Sequence, residues 1–215
     1  QVRFGTCVLS GFGTPTTWIH SNVQRVALCP GTFDRFISWL LCLLPQLLQN
    51  WIRPSFPEWF LPSTVIVKIE KPDWDEEFEN EKKYYAKLQD LQGKYIQVCY
   101  GEARCGGKRA LVLSDLGGLE LVGEDPVIVP LADLKRMLTE TYSALLSYGV
   151  EQGDTKLDIV LLVSDKVMIF DFDYACDEDK NDFNLVETRV GRLMGIYSRH
   201  LEYLESECGT EKVRP

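Results

Sequence analysis

Apolar and polar residues along the middle of this chain predict a strand followed by an amphipathic helix. Residues 64–69, TVIVKI, are mostly β-branched, with Lys68 inside the run, which is typical of a strand. Apolar residues then recur at helical spacing over 75–91, and acidic residues fill the first turns of that segment. The pattern predicts a helix that ends before Gly93.

Two further strands are predicted after that helix. Residues 96–100 and 109–114 are rich in apolar and aromatic side chains, and the pair Gly106-Gly107 between them is typical of a turn. Residues 115–118, Asp-Leu-Gly-Gly, then read as a flexible connector.

The C-terminal half shows the clearest helical periodicity. Residues 131–148 carry a leucine-rich face, and Gly149 stands where a left-handed cap would follow. Residues 159–163 and 166–170 predict a hairpin, after which Asp-Phe-Asp follows directly. Residues 184–204 predict a final amphipathic helix.

One strongly apolar stretch, residues 36–48, stands between Arg35 and Arg53. It is shorter than the roughly 20 residues of a membrane span, and a proline and polar amides interrupt it. Three interpretations remain open: a buried helix or helix pair packed on the domain, an interfacial helix that touches a membrane surface through 36–52, or a true span. The prolines of 54–62 predict an extended or turning segment.

Composition narrows the function classes. The chain has 215 residues, a formal charge of −9 and no basic run, which argues against a nucleic-acid partner. Its seven cysteines are scattered without a C-x-x-C pair, a pattern typical of reduced thiols in the cytoplasm. The two histidines, His20 and His200, have no second ligand at zinc spacing. No signal peptide is recognisable at the start of the chain.

The order of the predicted elements carries a resemblance to a known superfamily. The elements are a strand with lysine, a helix with glutamates, two strands, a connector, a long helix, a loop with aspartate, a hairpin and Asp-Phe-Asp. The phrases that carry it are VIVKIEK, ENEKKYYAKLQDLQGKYI, ALVLSDLGG, GVEQGDTKLDIVLL and VMIFDFDYA. Over about 64–175 the chain resembles the protein-kinase-like superfamily. It is most similar to short fungal kinase-like proteins near the aminoglycoside-phosphotransferase branch.

The resemblance implies an α+β, two-lobed fold with a small mixed N-lobe built on an antiparallel sheet and a shortened, mostly helical C-lobe. The implied organisation is an N-terminal extension over 1–63, which contains the apolar helical segment and either precedes the N-lobe or belongs to it. It continues with an N-lobe core over 64–114, a hinge at 115–118, a C-lobe over 119–206 and a flexible tail at 207–215.

The same resemblance implies ATP and Mg²⁺ as cofactors and assigns nucleotide contacts. Phosphoryl transfer is catalysed mainly by positioning and charge neutralisation, so cations must face the phosphates. Lys68 would hold the α- and β-phosphates, and Glu81 in the following helix would pair with Lys68, with Glu79 as the fallback. Asp115 and Gly117 in the hinge would contact the nucleotide.

Three residues near the Asp-Phe-Asp triplet would carry the chemistry. Asp171 would coordinate Mg²⁺ that bridges the phosphates. Asp154 would accept or orient the proton of the attacking hydroxyl, and Lys156 would steady the transferring phosphate.

Several positions depart from the family pattern. Gln152 replaces the usual His of the catalytic loop, and Gly153 replaces the Arg of kinases that are regulated by a phosphorylated loop. Ile159 occupies the position of a metal-binding Asn and cannot bind Mg²⁺; the adjacent Asp158 could serve only if the backbone shifts by one residue. Asp173 replaces a Gly, and it either adds a second carboxylate near the metal or faces solvent.

The nucleotide-covering loop is also missing from the window where the family carries it. Gly11-Phe12-Gly13 could serve only if residues 33–62 are an insertion between strands, and otherwise reads as a turn. Three hypotheses follow: an active phosphotransferase on a small-molecule or protein acceptor, a pseudokinase that binds nucleotide or acts as a scaffold, and a non-catalytic interaction protein.

Overall fold

The computed structural model describes residues 2–15, 22–29, 31–53, 55–123 and 126–211. In this part of the chain the fold is α+β. The strands are β1 (Val2–Phe4), β2 (Cys7–Leu9), β3 (Gly11–Pro15), β4 (Val23–Leu28), β5 (Thr64–Ile69), β6 (Cys99–Cys105), β7 (Lys108–Ser114), β8 (Leu119–Glu120), β9 (Val150–Glu151), β10 (Val160–Val163), β11 (Lys166–Ile169) and β12 (Cys176–Asp177). The helices are α1 (Thr32–Cys42), α2 (Gln46–Ile52), α3 (Asp75–Lys87), α4 (Leu131–Ser147) and α5 (Phe183–Glu211), with 3₁₀ helices at Pro57–Phe60 and Gln89–Leu91.

The chain divides into two compact units. The first unit comprises residues 1–82 and 98–115, and the second comprises 83–97 and 116–215. Residues 83–97 therefore group with the C-terminal half of the chain, although the sequence placed them in the 64–114 core.

The first unit is built on a seven-stranded sheet in the order β2-β1-β6-β7-β5-β4-β3, and its pairs are antiparallel. The predicted strand at 64–69 is confirmed as β5, which pairs with β4 on one side and β7 on the other. The predicted N-terminal extension contributes four strands, β1 to β4, to this same sheet.

Alternation along β5 decides where Lys68 points. Val65 and Val67 belong to the apolar core on one face of the sheet, together with Phe4, Val112 and their neighbours. Successive side chains in a strand point to opposite faces, so Lys68 lies on the face away from that core. The lysine therefore reaches the face that α3 covers with Glu81.

The second strand of the N-terminal half lies later than predicted. The sequence indicated a strand over 96–100, but β6 begins at Cys99, and Ile96 forms an isolated parallel bridge to Ile169. A register irregularity between Cys99 and Gly101, where Gly101 has φ +133, marks the start of β6. An irregularity of this kind changes which residues pair with the neighbouring strand, so composition alone does not locate the start of β6.

The predicted helix over 75–91 is confirmed through Lys87, after which one 3₁₀ turn follows at Gln89–Leu91. The strand predicted at 109–114 is confirmed as β7, and the turn before it contains Gly106 and Gly107, both with positive φ. Local patterns therefore predicted these elements to within a turn.

Gly11 and Gly13 lie in a strand and not in a turn, because β3 pairs with β4 along its length. The segment between these strands, 16–21, lies outside the described residues. Residues 29–63 are an insertion between the paired strands β4 and β5, as a role for these glycines would require.

The inserted segment forms α1, α2 and the 3₁₀ helix Pro57–Phe60. The 3₁₀ helix lies within 54–62, for which the sequence predicted an extended or turning segment. The helix pair predicted for 36–48 is confirmed as α1 and the start of α2, but its predicted burial is wrong, because most of its large apolar side chains are exposed. None of the helices in the described residues is long and apolar enough to cross a membrane.

The second unit packs α4 and α5 together with short strands. The predicted helix at 131–148 is confirmed as α4, and Gly149 follows it with φ +64. The predicted hairpin is confirmed as β10 and β11, which pair antiparallel. Helix α5 begins one residue before the predicted start and continues to Glu211, into the segment where the sequence indicated a flexible tail.

Candidate functional site

Lys68 and Glu81 form an ion pair inside the first unit. The Lys68 Nζ lies 2.7 Å from the Glu81 Oε2. The Glu81 side chain is 1% exposed and the Lys68 side chain 14%. Two charges held this far from water must compensate each other closely, so the pair has one defined geometry.

Glu79, the alternative partner for Lys68, belongs to a different network. It is exposed, and it accepts a hydrogen bond from Arg109 of β7. That bond to the guanidinium lowers the pKa of Glu79. The structure therefore pairs Lys68 with Glu81 and leaves Glu79 to Arg109.

Arg109 also holds Glu102 of β6. The Arg109 Nε donates to Glu102 Oε1 at 2.9 Å, and Lys82 donates to Glu102 Oε2 at 2.6 Å. These bonds, first the one from Arg109, lower the pKa of Glu102 to about 2. The guanidinium also lies over the Phe78 ring at 4.4 Å, so α3 is fixed to the sheet on the side of the helix next to Glu81.

The hinge candidates Asp115 and Gly117 differ in their surroundings. Asp115 accepts a hydrogen bond from Arg25 of β4 at 2.9 Å, a contact that the sequence did not indicate. Gly117 is exposed and has φ +57, in a backbone region that side chains rarely adopt.

In the second unit, Asp154 lies in the loop after β9, where the Lys156 Nζ sits 2.8 Å from its Oδ2. The hydrogen bond that Lys156 donates to Asp154 raises the pKa of Lys156, and the charges of Asp154, Asp158 and Asp171 add to the effect. Lys156 is exposed, whereas Asp154 is half-buried. The carboxylates of Asp154, Asp158 and Asp171 thus all act on the Lys156 ammonium.

Gln152 connects this loop to the Asp-Phe-Asp triplet. Its side chain is buried, and its Nε2 donates a hydrogen bond to the Asp171 carbonyl at 2.7 Å. Asp171 has φ +67, which is uncommon for a residue with a side chain. The bond holds the Asp171 backbone in this conformation.

The carboxylate oxygens of Asp171 and Asp173 lie within 4.8 Å of each other. Asp173 is buried, so it does not face solvent, which was one of the two alternatives for this residue. Two carboxylates at this separation repel each other, and a divalent cation with hard-oxygen preference would relieve that repulsion. The donor set therefore fits Mg²⁺ or another hard cation.

Asp158 and Ile159 occupy opposite environments. Asp158 is exposed, whereas Ile159 is buried and its carbonyl accepts a hydrogen bond from the Phe170 N–H. The backbone is thus anchored at Ile159 in the register that buries its side chain. A one-residue backbone shift that would exchange the places of Asp158 and Ile159 is not seen.

Gly153 has a steric reason to be glycine. Its φ is +85, and a Cβ at this position would lie 2.0 Å from the Tyr174 carbonyl oxygen. An arginine could not occupy this position without movement of the backbone.

The sequence did not indicate the ion pair of Glu151 with Arg189. The Arg189 Nε donates to Glu151 Oε1 at 2.6 Å, and both side chains are largely buried. Glu151 directly precedes Gln152, so this pair ties the start of the Asp154 loop to α5. Only the alternation around β9 could have suggested an inward-facing glutamate, and a two-residue strand gives too short a pattern.

A comparison of the chain with protein-family models finds no match, and neither does a comparison with curated proteins. The description of the site therefore depends on the geometry of its residues alone.

Proposed function

We propose that this chain is an ATP- and Mg²⁺-dependent phosphotransferase of the protein-kinase-like type, with a small-molecule or protein hydroxyl as acceptor. The observation that carries the proposal is the buried ion pair of Lys68 and Glu81. A buried salt bridge adds little stability compared with an apolar pair of similar volume. Its presence on a central strand supports a role in binding.

The first unit would supply the cation for the phosphates. Lys68 Nζ would contact the α- and β-phosphates, and Glu81 would fix the direction of the lysine side chain. Glu81 also compensates the lysine charge before ligand arrives, as burial of that charge requires.

The second unit would supply the proton acceptor and the metal ligands. Asp171 and Asp173 would hold Mg²⁺, which supplies charge neutralisation for the phosphates when bound. Asp154, half-buried at the loop, would take the proton of the acceptor hydroxyl, and the exposed Lys156 would face the transferring phosphate. The two-lobed fold of the superfamily and a cytoplasmic location, where ATP is abundant, belong to the same proposal.

A second candidate function is nucleotide binding without turnover. The buried Ile159 favours it, because the family's second metal-binding side chain is replaced by one that carries no oxygen ligand. Nucleotide would then bind at Lys68 without phosphoryl transfer, and the protein would act as a scaffold.

Thermal unfolding with and without Mg²⁺-ATP tests both candidates. Ligand at 100 times its dissociation constant should add about 2.7 kcal/mol. For a chain of this size, that raises Tm by roughly 5–10 °C. The variants Lys68→Ala and Asp171→Asn should lose this shift. Asp154→Asn should keep the shift and lose ATP turnover if the chain is a phosphotransferase.

Matched controls separate binding from folding. Lys166→Ala and Asp165→Asn change an exposed lysine and an exposed aspartate of the β10–β11 hairpin and should leave the shift intact. A wild-type chain whose Tm ignores Mg²⁺-ATP contradicts both nucleotide functions. A shift without turnover, unchanged by Asp154→Asn, selects the non-catalytic one.

A further inference from the structure

Helices α1 and α2 expose an unusual amount of apolar surface. We call residues 36–52 the apolar helix pair. Leu47 is 84% exposed and Trp51 79%, and the exposed set continues along both helices. Its large members are Phe36, Trp39, Leu40, Leu43, Leu47, Leu48 and Trp51.

The exposed side chains form a stripe and are not scattered. On α1, Phe36, Trp39, Leu40 and the following Leu43 recur at the spacing that places residues on one helical face. The Phe36 and Trp39 rings stack with centroids 6.1 Å apart. Monomeric proteins rarely leave so large a contiguous apolar surface open to water, which marks it as a contact surface.

Charge identifies the kind of partner. No charged residue lies between Arg35 and Arg53, so the apolar helix pair and its two flanking residues carry +2. The rest of the chain then carries −11, since the total is −9. Of the nearest acidic residues outside this stretch, Asp34 stands beside Arg35 in the sequence, and Glu58 is buried and accepts hydrogen bonds from the Thr6 N–H and hydroxyl. Within residues 35–53, the charged residues are thus two exposed arginines.

A partner for this surface must offer an apolar layer for the leucine and tryptophan side chains and, at the edge of that layer, negative charge for the arginines. A bilayer with anionic headgroups offers both, since leucine and tryptophan enter the acyl boundary while arginines stay among the headgroups. Tryptophan also favours this boundary over either water or hydrocarbon.

The lengths of the helices exclude crossing. With 11 and 7 residues, α1 and α2 reach roughly 17 Å and 11 Å along their axes, against about 30 Å of hydrocarbon. We propose that the apolar helix pair inserts Trp39, Leu43, Leu47 and Trp51 into the surface of an anionic membrane, with Arg35 and Arg53 at the headgroups. The chain would lie on the membrane and not span it.

Sedimentation with vesicles tests this proposal on the full chain. We expect binding to vesicles of 70% phosphatidylcholine and 30% phosphatidylserine, with a blue shift of tryptophan fluorescence. Leu47→Gln/Trp51→Gln should weaken binding at least tenfold, because each change removes apolar surface from the acyl boundary. Arg35→Gln/Arg53→Gln should weaken it roughly 30-fold, or about fivefold for each arginine.

The matched control is Leu119→Gln/Ile128→Gln, which changes two apolar residues that are 57% and 69% exposed elsewhere in the chain. It should bind as the wild type does. Equal binding of the wild type and Leu47→Gln/Trp51→Gln overturns the proposal, as does a wild type that ignores the vesicles. Sedimentation velocity without lipid tests the alternative that a second copy of the chain binds this surface. A wild-type dimer that Leu47→Gln/Trp51→Gln dissociates would show that the surface joins two copies of the chain, which also overturns the lipid assignment.

Discussion

Gln152 links the Asp154 loop to the backbone of Asp171. Its Nε2 is the donor to the Asp171 carbonyl, and the Gln152 side chain is buried. Gln152→Ala should lower the free energy of unfolding by about 1–3 kcal/mol, because a buried side chain and its hydrogen bond to the loop backbone are removed. Urea unfolding measures this change.

The control for Gln152 is Gln89→Ala, which changes an exposed glutamine of the 3₁₀ helix Gln89–Leu91. That variant should unfold within about 0.5 kcal/mol of the wild type. If Gln152→Ala costs no more than Gln89→Ala, the bond to Asp171 does not hold the loop.

A comparison of Gly153 with Gly117 distinguishes the conformational cost of a side chain at positive φ from the cost of a steric clash. Both have φ in the left-handed region, but a Cβ would lie 2.0 Å from the Tyr174 carbonyl at Gly153 and meets no atom within 4 Å at Gly117. Gly117→Ala should cost about 1–2 kcal/mol from conformation alone. Gly153→Ala should cost about 1–3 kcal/mol more, because the backbone must move.

Urea unfolding of the two alanine variants measures that difference directly. Equal costs would mean that Tyr174 yields without strain, and the absence of arginine at position 153 would then have no steric reason.

At this scale, the sequence indicated which residue types could act but not their environments. It proposed Glu81 as the partner of Lys68 with Glu79 as the fallback, and only the position of Arg109 separates them. It also left Asp173 open between metal and solvent. Burial of one carboxylate depends on the packing of its loop, which no local pattern encodes.

At the scale of elements, Arg109 fixes α3 to the sheet through Glu102 and Glu79. The pKa of Glu102 is about 2 in the folded chain, below its ordinary value of 4.5. Because the pKa of Glu102 is lower in the folded chain than in the unfolded chain, its ionised form stabilises the fold at pH values above about 4.5. This contribution is lost as the pH falls from about 4.5 towards 2.

Glu102→Gln should therefore cost about 1–2 kcal/mol at pH 7, a value that allows for solvent screening. The difference from the wild type should shrink between pH 5 and pH 2, since the protonated glutamate loses the same interaction. Urea unfolding across this range measures it, with Glu205→Gln, an exposed residue of α5, as the control. A difference that stays constant with pH would contradict the assignment to the Arg109 network.

Elements with a long, regular pattern were predictable, and irregular ones were not. Helix α4 and strand β5 have the bounds that their periodicity predicts, because one buried face specifies each of them. Strand β6 begins three residues later than predicted, at a register irregularity beside Gly101. The 3₁₀ helix Pro57–Phe60 also escaped prediction, since prolines fit both an extended chain and a first helical turn.

At the scale of the whole molecule, the pairing of distant strands could not be predicted. Strands β1 and β2 have three residues each, and β1 pairs with β6, about 100 positions later in the chain. Three residues are too few for an alternating pattern to reveal a strand. The sequence therefore left 1–63 open between an extension and a part of the N-terminal lobe, and only the structure shows that four of its strands complete the sheet.

The charge of the whole molecule gives the membrane proposal an unusual dependence on salt. Near the apolar helix pair, two arginines attract an anionic surface, while the rest of the chain carries −11 and is repelled. At about 10 mM salt the screening length is about 30 Å, so most of the chain feels the surface. At about 150 mM it is about 8 Å, and only the arginines at the headgroups remain within reach.

Binding to vesicles with 30% phosphatidylserine should therefore strengthen as salt rises from about 10 mM to about 150 mM, the reverse of what a polybasic protein shows. The apolar contribution is unaffected by this change, so phosphatidylcholine vesicles should bind weakly and equally at both concentrations. Arg35→Gln/Arg53→Gln should remove the advantage of the anionic vesicles at about 150 mM. A steady decrease of wild-type binding over this range would mean that a basic surface other than the two arginines makes the contact.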